Sequence, residues 1–152
     1  MARFVYRMQS VLNIKQQTEN QTKMEFGVAQ AELNEQIDIL EGYIRRKENY
    51  LIEAEELRND ASLKLQDILD NQYATAQMDV MIKHQAAVVA QYEQKVEKIR
   101  VRLTRNIQER KMQEILRDRA FAEFLEEQKQ EEAKENDQRT SFTYGQRQKE
   151  DD

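Results

Sequence analysis

The stretch FGVAQAELNEQIDILEGYIRRKENYLIEAEEL, residues 26–57, decides the fold. Stepping alternately by three and four from Phe26 meets Ala29, Leu33, Gln36, Leu40, Tyr43, Lys47, Tyr50, Ala54 and Leu57, then Ala61, Lys64, Ile68 and Asn71. Ten of these fourteen positions are apolar or aromatic, which is the seam of a coiled coil rather than the alternation of a strand. Ile37, Ile44 and Leu51 follow Leu33, Leu40 and Lys47 by four residues and widen the stripe on one flank. A stripe broader than the two seam positions suits packing against more than a narrow zipper.

A second series begins downstream at Ile82 and runs through Gln85, Val89, Tyr92, Val96, Ile99 and Leu103. Past Leu103 the apolar residues change phase to Ile107, Met112, Ile115 and Leu116, which predicts a stutter in the winding. Phe121, Phe124 and Leu125 carry the apolar face further. Between the two series lies DNQYATAQMD, residues 70–79, where Asp70 and Asn71 are poor helix formers and Thr75 or Asp79 suits an N-cap.

These patterns predict an all-α chain. Helix one is expected over about 3–70, a turn over about 71–75 and helix two over about 76–137, forming an antiparallel coiled-coil hairpin over 1–139. Segments of roughly equal length, about 105 and 95 Å at 1.5 Å per residue, favour that hairpin. One long helix dimerising in parallel is the competing architecture. After Lys134 the pattern dissolves into ENDQRTSFTYGQRQKEDD, and residues 140–152 are expected to be a disordered tail.

Composition agrees with helices that have little globular core. The 152 residues include no proline, no cysteine and three glycines; 35% are charged, and the mean hydropathy is -0.97. Without proline nothing forces a helix to break. Without cysteine there is no disulfide and no thiolate metal site. The longest apolar run, Ala86–Ala90, is far short of the ~20 residues that a membrane span needs. The opening FVYRMQSVL, residues 4–12, is interrupted by Arg7 and too short for a secretory signal, so a cytoplasmic protein is expected. This apolar tip, followed by the polar run NIKQQTENQTK, is a candidate contact surface.

The charge is distributed unevenly around a net value of -5. Residues 1–72 carry nine basic and thirteen acidic side chains, 93–119 carry nine basic and five acidic, and 120–152 carry five basic and ten acidic. An acidic chain does not read as a nucleic-acid binder. In the basic stretch, Lys98, Arg102 and Arg105 share a helix face, with Lys95 on the same side. That face suits pairing with the acidic first segment or docking an acidic protein.

No residue set points to catalysis. His84 is the only histidine and cannot assemble a metal site alone. Three glycines allow no phosphate-cradling loop. The carboxylate pairs Glu55–Glu56, Glu126–Glu127 and Glu131–Glu132 would need a cleft that separates their pKa values, and a pair of helices has none. No enzyme, cofactor or metal is expected. Tyr43, Tyr50 and Tyr92 fall at seam positions, where a ring packs while its hydroxyl reaches the rim.

The two ends of the chain carry a resemblance. FVYRMQSVLNIKQQTENQTK (4–23) and VRLTRNIQERKMQEILRDRAFAEFLEEQKQEEAKENDQR (101–139) resemble the N- and C-terminal signatures of the flagellar export protein FliJ family. The first is an aromatic-x-aromatic-Arg-apolar-Gln opening with Val-Leu two residues later. The second is an Arg-rich helix with Arg110-Lys111, Glu114 and Leu116, then an acidic Glu-Gln-Lys segment. The resemblance implies an antiparallel two-helix coiled coil in the flagellar type III export apparatus, acting without catalysis at the cytoplasmic face of the inner membrane. It implies a monomer that enters the hexameric ring of the export ATPase FliI like a stalk, contacts the export-gate protein FlhA and recycles chaperones of filament-type substrates.

By the same resemblance the ATPase contact would use Phe4, Arg7, Met8 and Leu12 from one end, with Arg110, Lys111, Arg117 and Arg119 from the second helix. The gate contact would use Gln36, Leu40 and Tyr43, with Met81, Val88 and Tyr92 opposite; Lys47 stands where the family pattern has a second tyrosine. The stalk of a virulence-type injectisome and a generic dimeric scaffold are the alternative readings.

Overall fold

The computed structural model describes residues 2–151. Two helices, α1 (Gln9–Asn59) and α2 (Leu65–Glu150), pack against each other, and the described residues form no strand. The chain divides into a central unit, Asn20–Arg105, and a terminal unit made of the residues up to Glu19 with those from Asn106 onward.

The helix break lies about ten residues before the expected turn at 71–75. Residues 60–64 (DASLK) are non-helical, and the Asp60 carboxylate accepts the Ser62 backbone N–H at 3.2 Å. Asn59 and Asp60 end α1 because short polar side chains compete with the helix for backbone partners. Asp70 and Asn71 carry the same local signal, yet they lie inside α2. The difference is tertiary. Asn71 is 7% exposed, and its Nδ2 donates to the Tyr50 carbonyl of α1 at 2.9 Å, so its amide is satisfied across the seam. Thr75 does not cap a helix start; its hydroxyl donates to the Asn71 carbonyl one turn back at 2.9 Å. With the break at 60–64, the helices have 51 and 86 residues instead of near-equal lengths.

In the central unit, every position of the first series from Phe26 to Leu57 is buried or half-buried, and so is every position from Ile82 to Leu103. Ala29, Leu33, Met78 and Val89 form the dry part of the seam. A polar layer crosses it where the Gln85 amide donates to the Gln36 carbonyl and side-chain oxygen at 2.9 and 2.8 Å. Ion pairs Lys47–Asp79 (2.6 Å), Glu32–Lys95 (3.1 Å) and Glu25–Arg102 border the seam. They are too exposed to add much stability, but their order is informative: partner numbers rise on α2 as they fall on α1. The basic face of α2 thus engages the acidic first helix through Lys95 and Arg102.

In the terminal unit the expected stutter does not occur. Met112, Ile115 and Leu116 are 63%, 53% and 41% exposed. The seam keeps its three-four stepping through Asn106, Arg110, Gln113, Arg117, Ala120 and Phe124, all buried or half-buried. The heptad phase therefore persists while the residues occupying it turn polar. Leu12 has no exposed surface, and Glu19 is 3% exposed. Helix α1 begins at Gln9 rather than near residue 3, with Gln9 N–H donating to the Tyr6 carbonyl at 3.1 Å.

Residues 140–150, expected as a tail, are the last turns of α2; residues 131–151 are exposed throughout. Thr140 and Thr143 donate to carbonyls one turn back at 2.8 Å. Asp152 lies outside the described residues.

Candidate functional site

The residues expected to meet the ATPase all belong to the terminal unit, but they do not form one surface. Phe4 packs edge-on against Phe121, with centroids 5.1 Å apart, and tilts against Phe124 at 5.4 Å. Beside it the Tyr6 hydroxyl donates to Gln113 Oε1 at 3.1 Å. These contacts anchor the non-helical N-terminal strip, whose aromatic rings find an apolar partner only on α2. A shallow groove bounded by Phe4, Tyr6, Arg117 and Phe121 opens beside them. Arg7, Lys111 and Arg119 are exposed, Met8 is 44% exposed and Arg117 is half-buried. Leu12 is core, so it reaches a partner only if the terminal unit opens.

Arg110 is engaged as well. Its Nε donates to Glu19 and its Nη1 to both oxygens of Glu114 at 2.9 Å. Donating to Glu114 and then to Glu19 raises the guanidinium pKa further, so its charge is fixed at any accessible pH. Lys15 bonds Glu109 at 2.9 Å nearby. Glu19, Asn106 and Gln113 escaped the sequence reading because polar side chains at seam positions give no hydropathy signal; continuing the three-four count past Leu103 would have found the last two.

The residues expected at the gate lie in the central unit, where Gln36, Leu40, Tyr43 and Tyr92 are half-buried seam positions and Gln36 is bonded to Gln85. Met81 and Val88 are half-buried beside the seam.

Among the described residues no group of histidine, cysteine or acidic side chains could hold a metal, and no buried side-chain polar atom lacks a partner. No described helix is long and apolar enough to cross a membrane. What the chain presents is exposed apolar and charged helix surface, which suits binding. The fold defines a two-helix coiled-coil protein.

Residues 4–149 match the family of the flagellar FliJ protein, and the chain belongs to that family. It is thereby a component of flagellar export. No curated protein and no solved structure matches it.

Proposed function

We propose that this chain is an antiparallel helical hairpin that binds the export ATPase ring, promotes its assembly and turnover, and links it to the export gate FlhA while recycling filament-type chaperones. The family match over residues 4–149 carries this reading. The hairpin is supported by the order of the cross-helix pairs, Lys47–Asp79, Glu32–Lys95 and Glu25–Arg102. The ATPase contact is assigned to the exposed Met8, Arg7, Lys111 and Arg119, with Phe4 and Arg117 at the rim of the groove; Leu12 is buried and Arg110 is bonded to Glu19 and Glu114. The gate contact is assigned to the rims of Tyr43 and Tyr92, with Gln36, Leu40, Met81 and Val88 around them. The protein works at the cytoplasmic face of the inner membrane as a monomer.

The test adds the purified chain to the cognate export ATPase and follows ring assembly and ATP turnover across concentration. Both rise with the native chain, and Met8→Glu weakens the response with helicity unchanged. An ATPase that ignores the chain over a wide range defeats the reading. Molar mass in dilute solution tests the monomer: about 18 kDa supports the hairpin, and an obligate dimer sinks it.

A further inference from the structure

The flank of the central unit formed by Ile37, Ile44 and Leu51 is not used by the seam. Ile44 and Leu51 are 40% and 51% exposed, and Ile37 is half-buried. Seven-residue spacing puts the three in one row along α1, a step of about 10.5 Å. Leu51 forms one wall of a groove of about 250 Å³ whose other wall is Gln72, Thr75 and Ala76 of α2. On α2, Leu65, Leu69 and Tyr73 stand at four-residue steps, 70%, 48% and 69% exposed.

The row carries its own charge pattern. Glu41, Glu48 and Glu55 each follow one of the three apolar residues by four, so each stands one turn along from its neighbour on the outer edge of α1. All three are exposed, and among the described residues none takes part in an ion pair. Arg45 lies four residues from Glu41 and three from Glu48, and Arg58, three from Glu55, lines the groove with Asp79, which pairs with Lys47.

We infer that this flank docks an amphipathic cationic helix from another protein, one with an apolar face at heptad spacing and a lysine or arginine about every seventh residue. The apolar row and groove take the buried face, and the glutamate row takes the cations, as flanking positions do in a three-helix coiled coil. Charge decides against the other occupants. Phosphate-bearing surfaces, nucleic acid and anionic lipid, meet a row of carboxylates, and a second copy docked face to face sets glutamate rows against each other. The surface is separate from the tip at Met8 and flanks the residues assigned to the gate on α1, so the proposal goes beyond both contacts and does not depend on the ATPase contact.

The test uses the full chain and a fluorescent amphipathic peptide of about three heptads, with leucine and alanine on its apolar face and one lysine per heptad beside it. A matched peptide carries glutamate in place of lysine. The native chain binds the lysine peptide at least about tenfold more tightly than the glutamate peptide, and raised salt narrows the gap. Glu41→Lys, Glu48→Lys and Glu55→Lys together abolish the preference while circular dichroism is unchanged; the three glutamine substitutions reduce it and serve if the lysine variant folds poorly. Equal binding of both peptides, binding of neither, or a preference that survives these variants overturns the inference. So does a native dimer that the lysine variant dissociates, which would assign the flank to a second copy. The ATPase response of the same variants stays at its native level, separating this failure from that of the stalk reading.

Discussion

Glu19 on α1 and Arg110 on α2 form an ion pair inside the seam of the terminal unit, with side chains 4% and 22% exposed. The geometry brings the guanidinium onto Glu19 and Glu114 together. Burying charge in this way costs desolvation that an apolar pair would avoid, but misregistering the helices would strand Glu19 without its guanidinium. The pair therefore contributes more to register than to net stability, as a polar seam residue does in coiled coils.

Substitution of this pair has a distinctive pattern. Arg110→Met leaves Glu19 buried without its guanidinium and lowers the thermal midpoint by several degrees. Adding Glu19→Leu recovers most or all of the loss, because the seam is then apolar on both sides. Circular dichroism at 222 nm through the melting transition checks both steps; a double variant no better than the single one would show that the pair contributes net stability.

At the tip, packing and contact roles separate by exposure. Leu12 has no exposed surface, so Leu12→Ala costs about 2–5 kcal/mol, and Leu12→Glu opens the terminal unit outright. Met8 is 44% exposed, and Met8→Ala changes stability by no more than about 0.5 kcal/mol. Urea titration of the two alanine variants gives the comparison.

The dependence on pH follows from the carboxylate side. The Glu97 carboxyl sits below the usual range, chiefly because Arg100 donates to it at 2.6 and 2.9 Å, with the charge of Arg100 adding and burial opposing. A depressed carboxyl contributes stability above its unfolded value and loses it as pH falls through its folded value. Both side chains are more than half exposed, so Glu97→Gln moves the midpoint at neutral pH by less than about 1 °C. Carboxyl titration by NMR finds Glu97 below the ordinary glutamate range, and Arg100→Ala returns it to that range.

The end of α2 is expected to behave as an independent, fraying helix. Residues 131–151 are exposed, and a helix without tertiary cover is marginal in water. Ending the chain after Gln138 leaves the midpoint within about 1 °C, and the amides of residues 140–150 exchange fastest in α2. Strong protection there would show that the segment packs against something in solution.

The heptad count from Phe26 to Leu57 and from Ile82 to Leu103 marks the buried faces from sequence alone, because helical periodicity is a local property of one chain segment. The family was legible for a similar reason, since its signatures lie in continuous stretches at both ends. The Ile37–Ile44–Leu51 row was also visible in the sequence as a widening of the stripe on one flank.

Other features depended on which residues meet across the helices. The turn sits at Asp60 rather than Asp70 because Asn71 finds the Tyr50 carbonyl, a partner 21 residues away that propensity cannot see. Past Leu103 the apolar residues do not mark the seam, because Met112, Ile115 and Leu116 are exposed while polar residues occupy it. Sequence by itself determined that there would be helices and which face of each would be buried, since that follows from residue spacing. Only the tertiary structure decided where the chain breaks, that Leu12 and Glu19 are interior and that Arg110 sits half-buried against Glu19. Those outcomes turn on the desolvation and pairing of side chains far apart in the chain.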